Sequence, residues 1–421
     1  MDEHQSNFPK DFWWGASTSS HQVEGGNHNQ WTVWELAHAK ELAQTAHQKY
    51  SHLPNWEDIK DDAENPGNYV SGEAVDHWNR YKTDFDIIEK LNLNAFRFSI
   101  EWSRIEPEEG KWDEEAIEHY REYIKELRRR KIEPFLNIWH YSLPVWFADK
   151  GGFEKRHNIK YFNRFIEKVS EELIDDVAYV ITLNEPNVYS GFSYLIAGWP
   201  PAGKNPFSFM KVYRNLVKAH KDSYKILKKK KPALNVGLAS QLANIQAKRP
   251  HNLMDILATQ WMRYFWNWWF LNKTKKYQDF VGLNYYYTDY YTGFVKRKNP
   301  TVPLSDVGAY MEPEGLYSLI LRVWSHYKKP IIITESGVAD SHDQHRRWWL
   351  EESMIAMEKA VSEGVEVKGY FHWSLLDNFE WAFGSWPKYG LVEVDRKTMK
   401  RKIRPSAKWF GETVKKIRQN P

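Results

Sequence analysis

The chain has 421 residues and not one cysteine. A disulfide framework, a thiolate metal site and a cysteine nucleophile are therefore excluded. No apolar run is long enough to cross a bilayer. Residues 1–10 are polar and lack the apolar stretch of a secretory leader, so a cytoplasmic location is expected. Charge of either sign is scarce in excess: 59 Lys and Arg against 55 Asp and Glu leave a net +4, which demands neither nucleic acid nor a membrane as partner. There is no glycine-rich phosphate loop. His342 and His345 have the spacing of a metal pair, but no carboxylate or cysteine set completes it, and a polar loop explains them better. No cofactor is expected.

Aromatic residues, by contrast, are plentiful, with 22 Trp, 24 Tyr and 21 Phe. Large rings fill a core, and they also stack on the apolar faces of sugars while their edges donate hydrogen bonds. Composition alone does not divide them between these uses.

Short apolar runs of strand length recur at 12–16, 95–100, 134–139, 179–183, 235–239, 280–283, 330–334 and 367–371. Their near-continuous apolar character suits parallel strands covered on both faces. Helix-length amphipathic stretches lie between them. Residues 112–130 carry a stripe of Ala116, Ile117, Tyr120, Tyr123, Ile124 and Leu127, with acids in the first turn and arginines in the last. Basic clusters at 128–131, 228–231 and 328–329 each precede a strand. They read either as an RNA-binding patch or as cations capping helix ends on one rim, and the recurring position favours the second. Eight such units, with no linker or internal sequence repeat, predict a single α/β domain over residues 1–421, a (β/α)8 TIM barrel.

Barrels of this kind build their sites at the C-terminal ends of the strands. Two strands there run into a glutamate followed by a strand breaker: Thr182-Leu183-Asn184-Glu185-Pro186 and Thr334-Glu335-Ser336-Gly337. Either glutamate alone could be a loop cap. Two across one barrel mouth, about 5 Å apart, have the spacing for double-displacement glycoside cleavage.

These segments resemble the two catalytic motifs of the family-1 glycoside hydrolases, with Ser336 where Asn is usual. Three further motifs carry the resemblance: Gln22-Val23-Glu24-Gly25, Asn284-Tyr285-Tyr286, and Trp373-Ser374-Leu375-Leu376-Asp377-Asn378-Phe379-Glu380-Trp381. It spans residues 8–410, and Glu335-Ser336-Gly337-Val338-Ala339-Asp340 looks most like the archaeal and thermophilic branches. The resemblance implies Glu335 as nucleophile, kept ionised by Arg97 and oriented by Tyr286, with Asn284 in support. It implies Glu185 as acid and then base, with its pKa raised, and Asn184 on the sugar 2-hydroxyl. Gln22, His140, Glu380 and Trp381 would read the remaining hydroxyls, Trp373 would form the platform, and Tyr389 would join the substrate-binding set.

Several positions depart from the family. The region between Phe270 and Phe280 is short, as if a helix were missing, so helical cover around units five and six is expected to be incomplete. The aromatic stretch from Trp261 to Phe270 would then pack on the barrel, or leave rings facing a groove for a second subunit or a flat apolar ligand. Tyr141-Ser142 stands where the family often has Trp-Asp, and Ala309, beside Tyr310, where it usually has an aromatic wall for the leaving group. The phospho-sugar branch has Ser at the place of Trp381 and Lys at that of Pro387, which argues against phosphorylated substrates. The thioglucoside branch replaces the acid/base, which Glu185 retains.

The expectation is thus a retaining exo-β-glycosidase, a β-glucosidase tolerant of β-galactosides and β-fucosides and acting on a small β-glycoside or oligosaccharide. A transglycosylase of the same mechanism and a non-catalytic carbohydrate-binding barrel are the alternatives.

Overall fold

The computed structural model describes residues 6–297, 299 and 301–419, so residues 1–5 of the polar N-terminal stretch lie outside it. Eight strands close into a barrel: β1 (Trp13–Ser17), β2 (Ala95–Ser99), β3 (Glu133–Asn137), β4 (Tyr179–Asn184), β5 (Asn235–Gln241), β6 (Val281–Tyr285), β7 (Ile331–Ser336) and β8 (Val367–Trp373). Each pairs in parallel with its neighbours in sequence, and β1 closes the ring on β8. All eight predicted strands are present.

Strand alternation sorts the side chains into layers. Ala95, Phe135, Ile181, Ala239, Phe280, Ile332 and Phe371 pack with one another as one cluster, with Trp13 and Tyr179 against it. Their neighbours along the strands, such as Phe96, Leu136, Val180, Val281 and Ile333, belong instead to the larger core shared with the helices. Two residues beyond the inner cluster the same strand faces turn polar, with Arg97 after Ala95, Asn137 after Phe135 and Thr334 after Ile332. A dry plug thus supports a polar floor.

The helices that follow the strands are α1 (His77–Lys90), α2 (Glu114–Arg129), α3 (Ile159–Glu172), α4 (Pro206–Lys230), α5 (Trp269–Thr274), α6 (Gly315–Tyr327), α7 (Arg346–Ser362) and α8 (Pro405–Gln419). The predicted stripe of α2 is buried throughout, and Asp113 proves to be its N-cap, accepting from the Ala116 amide at 2.9 Å.

The basic clusters lie at helix ends, but they serve mainly their neighbours. Lys231 Nζ donates to the carbonyls of Ile174, Asp175 and Val177 at 3.0, 2.7 and 2.9 Å, all in the turn between α3 and β4. Arg128 pairs with Glu133 and reaches the Asp176 carbonyl, and Lys329 reaches that of Gln278. These cations tie adjacent units together at the entry rim.

Unit five is covered, though briefly. Helical chain runs from Leu253 to Thr274, as Leu253–Arg263, a wide π-helical turn Tyr264–Trp268, and α5. On α5, Phe270 and Leu271 are buried, and Trp269 stacks on Tyr213 of α4 with centroids 4.6 Å apart. Unit six has the full-length α6, so the short connection of 272–280 costs the barrel little cover. Leu253–Arg263 faces the other way: its buried side is Asp255, Ala258 and Thr259, while Leu253, Met254, Leu257 and Trp261 are exposed.

Candidate active site

The ends of β4 and β7 are irregular where the glutamates emerge. The β4–β5 register shifts between Ile181 and Asn184, and the β6–β7 register between Ile333 and Glu335. An added residue of this kind re-aims the side chains beyond it. Glu185 has φ +41° and precedes the helix Pro186–Tyr194, so the chain turns sharply and leaves its carboxyl at the mouth. Beyond Glu335, a side chain on Gly337 would collide with the carbonyl of Trp373, which is why β7 can close so tightly on β8 there.

Both carboxyls are buried. Glu335 accepts from Arg97 Nη1 through Oε1 and from the Tyr286 hydroxyl at 2.6 Å through Oε2. Burial and the Glu335 charge push the Tyr286 phenol well above its ordinary range, so it stays a donor. Glu185 accepts from Asn284 Nδ2 at 2.7 Å through Oε1 and from the Tyr141 hydroxyl through Oε2. Burial first, and the negative charge of Glu335 second, raise its pKa to about 8. The two carboxyls thus sit in unequal settings: Glu335 has a guanidinium beside it, while Glu185 has only neutral donors on its oxygens.

Arg97 sets the polarity of the remaining network, because guanidinium only donates. Its Nη2 donates to Asn184 Oδ1 at 2.7 Å. That fixes Asn184 Nδ2 as the donor to His140 Nε2 at 3.0 Å. His140 Nδ1 then carries the hydrogen and gives it to the Asn137 oxygen at 3.0 Å, in the amide orientation that also lets Asn137 reach the carbonyls of Trp139 and Ile181. Burial and Arg97 lower the His140 pKa well below its ordinary range, in keeping with a neutral ring. Both ring nitrogens are thereby committed to protein, so His140 lines the site without the free ring nitrogen that the expected hydroxyl contact needs, whereas Asn184 keeps one amide hydrogen for a ligand.

Gln22 accepts from Ser19 at 2.7 Å and donates to the Phe379 carbonyl at 2.7 Å and to Glu380 at 3.2 Å. Burial and Glu335 raise the Glu380 carboxyl to about 8, opposed by hydrogen bonds from Trp373 and Gln22. Trp373 lies nearly parallel to His140, with centroids 5.7 Å apart, and Trp381 packs edge-on to Tyr141 at 5.1 Å. The Tyr389 ring stands 6.3 Å from that of Tyr286. Every predicted site residue therefore belongs to one connected constellation at the mouth. Ala309 and Tyr310 lie in a half-exposed turn between β6 and β7.

Three contributors escaped the sequence reading. Tyr141, which in the sequence only departs from the family pattern, bonds Glu185 directly. Thr334 donates to Asn284 Oδ1 at 2.6 Å and fixes that amide. Gln241, the last residue of β5, accepts from the Trp266 indole of the π-helical turn through Oε1. The position of Thr334 directly before Glu335 was the available clue; the other two contacts depend on how distant strands meet.

The sequence profile of Glycosyl hydrolase family 1 matches residues 4–279 and 271–419. β-Glucosidase A of Thermotoga maritima is 31% identical over 97% of this chain and 98% of its own. The structure of a β-glycosidase from Pyrococcus horikoshii superposes with a TM-score of 0.85 at 34% identity, covering 97% of this chain and 95% of that one. The Thermotoga maritima β-glucosidase in complex with glucoimidazole also gives 0.85, at 28% identity and over 98% and 99% of the two chains.

Proposed function

Since the chain belongs to glycosyl hydrolase family 1 and is a glycoside-cleaving enzyme, we propose that it acts as a retaining exo-β-glycosidase. Its preferred sugar is β-glucose, with tolerance for β-galactose and β-fucose. The observation that carries this reading is the unequal environment of the two buried glutamates: Glu335 held by Arg97 and Tyr286, Glu185 kept protonated by burial and by Glu335 itself.

In the first step a Glu335 oxygen attacks the anomeric carbon, and Glu185 gives its proton to the leaving oxygen as that C–O bond breaks. The product is a glycosyl ester on Glu335. In the second step Glu185, now a carboxylate, takes a proton from water, whose oxygen attacks the same carbon and releases Glu335. Asn184 offers its remaining amide hydrogen to the 2-hydroxyl. Gln22, His140, Glu380, Trp381 and Tyr389 line the sugar around the Trp373 platform. The substrate is a small β-glycoside or oligosaccharide, in line with the glucoimidazole bound by the Thermotoga maritima relative. A cytoplasmic location belongs to the same reading and is supported by the absence of cysteine. Among the described residues no helix is long and apolar enough to cross a membrane.

A panel of nitrophenyl β-glycosides tests the proposal, with product configuration followed by proton NMR. The β-anomer is expected to appear first, and Glu335→Gln should lower turnover by at least about four orders of magnitude. An α-anomer as first product, or a fully active Glu335→Gln enzyme, rejects it. Added cellobiose then shows whether water or a sugar hydroxyl takes the glycosyl group.

A further inference from the structure

The Glu185 carboxyl has two oxygens, and the network assigns them different tasks. Arg97 fixes Asn184 Oδ1 as an acceptor at 2.7 Å, and the Asn284 amide faces that same oxygen at 3.1 Å. Asn284 must therefore present nitrogen there, an orientation that Thr334 secures from the other side by donating to Asn284 Oδ1. An amide nitrogen only donates. Oε1 of Glu185, 2.7 Å from that nitrogen, is thus an acceptor in both protonation states. The acid proton belongs to Oε2.

Tyr141 is the group on Oε2. Its backbone is unusual: φ is +75°, and the Ser142 amide donates back to the His140 carbonyl at 3.0 Å, which makes Tyr141 the centre of a three-residue γ-turn. That turn is strained for a residue with a side chain, and such strain persists only where the surroundings hold it. Here Trp199 and Trp381 pack against the buried ring at 4.9 and 5.1 Å, and its hydroxyl meets the carboxyl.

We infer that Tyr141 is a positioning residue for the acid/base. Its hydroxyl occupies one lone pair of Glu185 Oε2 and confines the catalytic proton to the other, which faces away from Tyr141 and into the sugar site. When the proton leaves for the glycosidic oxygen, the same hydroxyl stabilises the carboxylate that remains. When water gives a proton back, it returns to that free lone pair. No net transfer to or from Tyr141 is needed.

The inference rests on Glu185 being the acid/base, and the experiment separates the two. The other groups acting on Glu185 are Glu335 on β7, Arg97 on β2, Tyr286 and Tyr287 after β6, and Glu380 after β8. None of them changes in Tyr141→Phe. The pH profile of kcat/KM is measured on nitrophenyl β-glucoside for wild type, Tyr141→Phe and Glu185→Gln alike. A donor to the charged form lowers a carboxyl pKa, so its loss should move the basic limb upward by about one pH unit. Glu185→Gln should show no basic limb at all. If Glu185→Gln keeps that limb, the assignment of Glu185 fails. If Glu185→Gln loses it while Tyr141→Phe titrates as wild type does, Glu185 stands and the role of Tyr141 is overturned. An activity loss in Tyr141→Phe that is uniform across pH also overturns it, since packing alone would produce that result.

Discussion

Glu185 and Glu380 both retain their protons to about pH 8, against an ordinary carboxyl value of 4.5. A group whose proton is held more tightly in the folded chain makes the unfolded chain the weaker proton binder between those values. Folding stability then falls as pH rises from about 4.5 to 8, and below that window the two carboxyls cost nothing. Replacing either by a neutral amide removes the slope it causes. Glu185→Gln and Glu380→Gln should each unfold at higher temperature than wild type at pH 9, by on the order of 1–3 kcal/mol, and show little gain at pH 5. Calorimetric melts at the two pH values check this, and equal gains at both would contradict the burial argument. The glutamates themselves were legible in the sequence, because two of them end apolar strands that open on one barrel mouth, an arrangement that a single loop cap does not explain. Tyr141 was not. Its contact depends on a γ-turn after β3 bringing it to the end of β4, and residues 44 positions apart show no such pairing in one sequence.

Among the elements, the barrel strands were legible because both their faces are buried, which suppresses polar alternation and leaves short apolar runs bounded by helices. The shifts in register that aim Glu185 and Glu335 were not, since an extra residue in a strand leaves no mark on composition. The basic clusters fell between these cases. Their place at helix ends was foreseen from helix electrostatics, but the partners of Lys231 are three carbonyls of the preceding unit. The turn between α3 and β4 directs those carbonyls to one point, and a half-buried ammonium satisfies all three. Lys231→Met keeps the aliphatic stem and deletes the donors. It should cost about 1.5–3 kcal/mol, the range for hydrogen bonds involving a charged group, with aryl-glucoside kcat/KM unchanged because the contact is on the rim away from the mouth. Urea unfolding alongside a kinetic assay measures both, and an unaltered midpoint would show that water replaces the ammonium at no cost.

For the molecule as a whole, the unresolved demand is on the surface of unit five. Leu257, Trp261 and Phe294 are 51%, 54% and 64% exposed, and Trp261 touches both Phe265 and Phe294. The side of Leu253–Arg263 that meets the protein is small and polar, centred on Asp255, Ala258 and Thr259, so this helix turns its larger apolar residues outward. The reversal is the opposite of what a surface helix needs to stay in water, and contiguous apolar patches of this kind mark contact sites on folded monomers. Of the two outcomes open to the aromatic stretch from Trp261 to Phe270, packing on the barrel holds for Trp268 and Phe270, whereas Trp261, Tyr264 and Phe265 stay exposed. With α5 in place, the cause lies in the helix's own pattern. We therefore expect association through this face, as a subunit contact or by uptake of a flat apolar ligand. Sedimentation velocity should show heavier species growing with concentration, or else a hydrophobic dye should bind one site per chain. A chain carrying Leu257→Ser and Trp261→Ser should lose whichever behaviour is seen and keep its glycosidase rate, because neither residue belongs to the catalytic constellation. A strict monomer that takes up no dye would mean that these rings tolerate water alone, and the idea would then be withdrawn.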